Sequence, residues 1–345
     1  MGISTRVGIL FGVCVVGVLA YVVFLPNQGA SVRTEQEHYW LEHIKQVGLD
    51  EARFDLLEVL SKKSEQDAHE TSHAFGGALY LSGGALTVCP VSSIADEFLS
   101  SGCYHEFIGR AIAEHGIDSI ADSKKSCTTL PARSMYLCEH GIGHGLVGYL
   151  GYSIENIKTA LKACGRGVSN NCYRGVLMEY DFRRLVDGAS HARVPNEGEL
   201  KHSICNDFVE PVRGVCVYWE PNWWFEVLRL QGLSEGKDIF PRLFELCHQW
   251  DTPDMNLCFA GAGFTTFYLS NATADQSREL CEAHGKEGSL YCKIGAAARF
   301  RSAGADTADT QTVCKGLLGE ELLQCSYAAD GRVQQLSGFP PSVIW

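Results

Sequence analysis

The histidines carry the first chemical signal in this 345-residue chain. His69 and His73 stand four residues apart, as do His140 and His144. On an α-helix that spacing puts both imidazoles on one face, where they can reach a single ion. His105 lies between the two pairs in sequence and offers a further ligand. Neutral imidazole suits divalent zinc, and copper or iron as well. A zinc ion would bring the pKa of its bound water down to about 7, so that the water can attack a carbonyl or phosphoryl centre. Glu70 and Glu106 directly follow His69 and His105 and are candidates for the general base or an additional ligand, while Arg174 is a candidate for orienting an anionic substrate group. The plainer reading is structural: histidines also hydrogen-bond within helical interfaces, and Cys138-Glu139-His140-Gly141-Ile142-Gly143-His144-Gly145 has the composition of a closely packed helix.

The run His69-Glu70-Thr71-Ser72-His73 resembles the zincin motif H-E-x-x-H, in which two histidines bind zinc and the glutamate activates water. The longer metzincin pattern is matched as far as Gly76, but Leu79 stands where its third histidine belongs, and no glutamate motif of the gluzincin kind follows. A peptidase is therefore not the leading expectation. What strengthens the metal reading is the phasing of His105, His140 and His144 against this motif.

That phasing requires a repeat, and the cysteines supply it. Fifteen are present, and without Cys14 the remainder fall into neighbouring pairs: 89 with 103, 127 with 138, 164 with 172, 205 with 216, 247 with 258, 281 with 292, and 314 with 325. The second members recur at steps of 33 to 44 residues, the period of stacked helical hairpins. Each unit reads as a helix ending near the first cysteine, a loop of about ten residues, and a second helix starting at the second cysteine. Gly141, Gly175, Gly261 and Gly295 each follow the second cysteine by three residues, where close approach of a neighbouring helix explains the absence of a side chain. The segment around Asp67 fits the same register with Asp67 at the cysteine position, which makes eight units and places His69, His105, His140 and Arg174 in one column, with His73 and His144 one turn further on. Zinc ribbons need C-x2-C to C-x4-C, and c-type haem needs C-x-x-C-H; neither pattern occurs, so no haem is expected. The unit from Lys162-Ala163-Cys164 to Cys172 resembles the cysteine-rich Sel1-like repeat proteins, and that resemblance implies a stapled helical array.

The expected fold is therefore all-α: about eight disulfide-stapled helical hairpins over residues 51–335, as a solenoid or a closed α/α toroid, after a linker and first helix region at 26–50 and before an irregular tail at 336–345. From Val7 to Leu25 the chain is uncharged and almost wholly apolar, long enough as a helix to span a bilayer core. Arg6 in the short segment 1–6 favours a cytoplasmic N-terminus, and the flank after Leu25 lacks a clear A-x-A cleavage site, so an uncleaved anchor is expected over a cleaved signal peptide. The bulk would then be periplasmic or extracellular, where disulfides persist. A net charge of -12 and the lack of a basic run exclude nucleic acid as a partner. Two functions follow: a membrane-tethered, metal-dependent hydrolase, or a non-enzymatic scaffold that holds a protein partner on its repeat surface. For the scaffold, the aromatic run Trp219 to Trp224, which the spacing places in an insertion, is a candidate contact surface unless it is buried.

Overall fold

The computed structural model describes residues 28–89, 95–165, 171–185, 193–201, 203–234, 236, 238–269, 273–283, 285–302, 305–332 and 335–336. The expected anchor at 7–25 and nearly all of the C-terminal tail lie outside them. Among the described residues no helix is long and apolar enough to cross a membrane.

The described residues are all-helical, without a strand among them. Its long helices are α1 (Gln28–Val47), α3 (Glu65–Leu81), α4 (Ala95–His115), α6 (Ala132–Leu150), α8 (Asn171–Arg184), α10 (Val212–Leu230), α12 (Thr252–Leu269), α14 (Lys286–Ser302) and α16 (Gly319–Ala329). Between them run the shorter α2 (Leu49–Leu60), α5 (Ile120–Thr128), α7 (Ile154–Cys164), α9 (Glu197–Leu200), α11 (Ile239–Cys247), α13 (Ala274–Glu282) and α15 (Thr307–Val313). From α3 onward each long helix packs on the long helix before it and the one after it; α2, α7, α11, α13 and α15 each lean on the two long helices they connect, and α5 packs on α6. The sequence accounts for this division of labour. Helix α7 buries Ile157, Ala160, Leu161 and Cys164, a single stripe at helical spacing that suits an outer layer. Helix α8 buries every residue from Asn171 to Leu177, as a helix flanked on several sides must.

All seven neighbouring cysteine pairs are disulfides, with Cα atoms 5.4 to 5.7 Å apart. Closing a loop of this size contributes about 3 kcal/mol, mainly by restricting the unfolded chain. The short helices end at or beside the first cysteine, as the spacing implies, but the long helices begin earlier than expected. Cys138, Cys258 and Cys292 sit in the second turn of helices that start at Ala132, Thr252 and Lys286. A bridge of about 5.5 Å needs facing turns of two antiparallel helices, so the chain must reverse before the second cysteine, and the loops shrink to a few residues. In two units the element before the first cysteine is only a 3-10 turn, Leu86–Val88 ahead of Cys89 and Ile204–Asp207 around Cys205.

Two further expectations change. The segment 28–47, expected in part as linker, is a helix that docks on α3, with Trp40 edge-on against Phe75. The aromatic run is no insertion: Trp219 to Trp224 lie inside α10, where Trp223 and Trp224 are buried in the core. They do not form an exposed contact surface.

Glycine sets the spacing of the long helices. A Cβ on Gly175 would overlap the carbonyl oxygen of His140, and one on Gly143 would overlap that of Cys172, so α6 and α8 touch backbone to backbone. On α3 the residue that meets the carbonyl of Cys103 in the same manner is Gly76. Matching Gly76 to Gly143 makes Thr71, which is buried, the counterpart of the cysteines; Asp67 is exposed. The first unit is thus set one helical turn away from the register the sequence suggested. His73, rather than His69, shares a column with His105, His140 and Arg174.

Candidate metal centre

The slip leaves the histidines together, because His69 and His73 are themselves one turn apart. On α3 the Nε2 atoms of His69 and His73 are 3.2 Å apart, and on α6 those of His140 and His144 are 3.0 Å apart. Helix α4 runs between and places the His105 ring 5.5 Å from that of His73 and 4.2 Å from that of His144, centre to centre. Small residues allow this convergence: a Cβ on Gly102 would lie 2.7 Å from the His69 carbonyl oxygen, and one on Gly141 would lie 3.0 Å from that of Tyr104. The five imidazoles form two donor sets, His69 with His73 and His105, and His105 with His140 and His144, each with its ligand atoms within 4.8 Å of one another.

These distances can be tested against an ion. Two nitrogens bonded at 2.0–2.1 Å to one metal, at an angle between 90° and 110°, stand about 2.9–3.4 Å apart. Both i, i+4 pairs have that bite already. A hydrogen bond between neutral imidazoles would also account for 3.0–3.2 Å, but it leaves the Nε2 of His105, a buried atom with no hydrogen-bond partner. Buried polar atoms are nearly always paired, and a metal ligand is one of the few arrangements that would satisfy this one. The residues present therefore fit a divalent transition metal.

Carboxylates stand behind the outer rings. Glu179 on α8 lies 2.7 Å from His144 Nδ1 and accepts a hydrogen bond of the same length from the Tyr152 hydroxyl. Glu106 on α4 lies 3.4 Å from His73 Nδ1, and its other oxygen accepts from Arg110 Nε at 2.9 Å; Arg110 in turn donates to Glu37 of α1 at 2.6 Å. A carboxylate at Nδ1 holds the proton there and leaves the Nε2 lone pair for a metal.

Protonation favours the same outcome. Burial, reinforced by the neighbouring imidazoles, holds His105 well below the ordinary histidine range; burial, His144 and the charge of Arg174 do the same for His140. Burial alone would raise Glu106, but His73 and Arg110 outweigh it and bring the carboxyl down to about 2; Glu179 is also lowered, by His144 and Tyr152 against the effect of burial.

Of the residues singled out from sequence, the five histidines converge. Glu106 sits beside the centre, behind His73. Glu70 is half-buried and belongs to neither donor set. Arg174 is buried one long helix further along the same column, its guanidinium 3.9 Å above the Trp219 ring and near Tyr136, which stacks on His140. It lies outside the donor sets and contributes positive charge beside His140. Glu179 and Tyr152 were not anticipated. The relation of Glu179 to His144 repeats that of Glu106 to His73 one turn further along, a signal visible only once the first unit is set in its true register. A third group of possible ligands, Cys205, Cys216 and Glu220, offers no thiolate, because the two cysteines are bonded to each other. Compared with protein-family models, with characterised proteins and with solved structures, the chain matches none.

Proposed function

We infer that this chain is a metalloprotein of an extracytoplasmic compartment, binding a divalent transition metal through imidazoles presented by α3, α4 and α6. The observation that carries the reading is the pair of Nε2 separations, 3.2 and 3.0 Å, together with the unpartnered, buried Nε2 of His105. An all-nitrogen donor set selects zinc, copper, nickel or iron over magnesium or calcium, which demand oxygen. The disulfides support an oxidising compartment, and the apolar segment at 7–25 supports a membrane tether.

The chemistry that suits such a centre is activation of water. A bound ion lowers the pKa of its water and polarises a carbonyl or phosphoryl oxygen, which makes a metal-dependent hydrolase the leading activity. In that reaction the chain's own groups divide as follows. His69, His73 and His105, and His105, His140 and His144, are the two sets that would hold metal. Glu179 keeps the proton on Nδ1 of His144 and so fixes which nitrogen faces the metal, while Glu106 places negative charge behind His73. Glu106 is tied to Arg110 and stands behind His73, so it would serve as a support for that ring, and the proton of an activated water would pass to solvent. Arg174 adds positive charge on the α8 side, which favours an anionic substrate.

The test is elemental analysis of the purified full-length chain, made without a polyhistidine tag and with its disulfides intact. Stoichiometric zinc, copper, nickel or iron, reduced in His140→Ala and His144→Ala, is the expected result. A metal-free protein that also fails to take up zinc or cobalt, or variants that bind as much metal as the parent, would overturn the reading and leave the scaffold role standing.

A further inference from the structure

We propose that the centre is built for two metal ions, one at each histidine pair, with His105 placed within reach of either ion. The proposal rests on the metal reading above and goes beyond it in number and arrangement.

Three features lead to it. The first is distance. A single ion bonded at 2.0–2.1 Å holds its donors no more than about 4.2 Å apart, so five imidazoles on one ion would form a single compact set. The donors instead gather as two triples that overlap only at His105. The second is bite: each outer pair has its own ion-sized gap, 3.2 Å on α3 and 3.0 Å on α6, and the two gaps lie on helices that flank α4 from opposite sides. The third is the supporting shell. Each outer pair has one carboxylate of its own, carried by the next long helix along, Glu106 for His73 and Glu179 for His144. A mononuclear site has no use for two chelating pairs with two separate supports. Duplication follows from the repeat, since successive units present the same face and the same offset recurs between α3 and α4 and between α6 and α8.

Charge is consistent with two ions. Two divalent cations bring four positive charges to a site where Glu106 and Glu179 supply two negative ones, and Arg110 and Arg174 stand close by. The excess favours an anionic ligand at the centre.

The experiment is a titration of the metal-free, tag-free, disulfide-intact full-length chain with Co2+, followed by visible absorption and by metal analysis after desalting. The parent protein is expected to retain two equivalents. The double variant His69→Ala/His73→Ala retains one, as does His140→Ala/His144→Ala, and the combination of all four substitutions retains none. One equivalent in the parent overturns the two-ion centre while leaving the metal reading intact. None in the parent overturns both. Because the parent's stoichiometry decides the matter, a variant that fails to fold does not blunt the test, and far-ultraviolet circular dichroism identifies such a variant.

Discussion

Replacing Glu179 by glutamine removes a charge while keeping an oxygen that can accept from His144 Nδ1, and so isolates what the carboxylate does for the metal. Its oxygen lies 2.7 Å from Nδ1, the ring spans about 2.2 Å to Nε2, and the ion would sit a further 2.0–2.1 Å beyond, which puts the carboxylate about 6.5 Å from the metal. At that distance a unit negative charge and a divalent cation attract by about 2.5 kcal/mol in an effective dielectric of about 40, intermediate between protein and water. This agrees with the loss of about 10–100-fold in affinity seen on removing partners of metal-bound histidine. Glu106 should matter less to its own histidine, because it stands off at 3.4 Å and is already shared with Arg110. Competition against a chromophoric chelator measures both. The expected order is wild type tightest, Glu106→Gln slightly weaker, and Glu179→Gln weaker by roughly 10- to 100-fold. Equal affinities for Glu179→Gln and the parent, or a larger loss for Glu106→Gln, would refute the assignment of Glu179 as the support of His144.

Two other consequences can be checked by thermal unfolding. Gly175→Ala places a methyl group against the His140 carbonyl, forces α6 and α8 apart and should cost about 1–3 kcal/mol, together with weaker metal binding through the lost His144–Glu179 contact; an unchanged melting temperature would contradict the close approach. Glu220 is buried beside Ser203, and burial, with the nearby charge of Asp181, raises its pKa against the opposing effects of Arg184 and Ser203. The folded protein therefore keeps a proton that the unfolded chain releases at lower pH, and stability falls as pH rises from about 4.5 through the raised value. Glu220→Gln abolishes that dependence, so its melting temperature should exceed the parent's by an amount that grows with pH; a constant difference between pH 5 and pH 9 would refute it.

The repeat period and the hydrophobic stripes made the hairpin array legible, and the column containing His105 and His140 followed from counting between cysteines. The first unit was harder, because it has no cysteine. Asp67 looked like the polar substitute, while the residue that occupies the cysteine's place is Thr71, identified by how closely Gly76 meets the backbone of α4. The error did not scatter the donors, since a four-residue slip carries one member of an i, i+4 pair into the place of the other. Glu179 was missed for a different reason. Nothing in its neighbours Met178 and Tyr180 hints at metal, and its role arises only from packing between units. The tryptophans of α10 were ambiguous because burial of aromatic residues depends on the surrounding helices, which local composition does not encode.

Each bridge joins a cysteine to the next one along the chain, and none connects one hairpin to another. A polypeptide emerging N-terminus first into an oxidising lumen would reach the right connectivity simply by coupling each thiol with its immediate successor, without reshuffling. The covalent links thus complete each bridged hairpin separately, leave the first unit without one, and impose nothing on how the units dock. The imidazole cluster, drawn from three of them, comes into being only when α3, α4 and α6 align through ordinary non-covalent contact. On the metal reading, uptake of an ion would therefore report assembly of the stack rather than completion of its parts, and a fully oxidised but undocked chain would be blind to it.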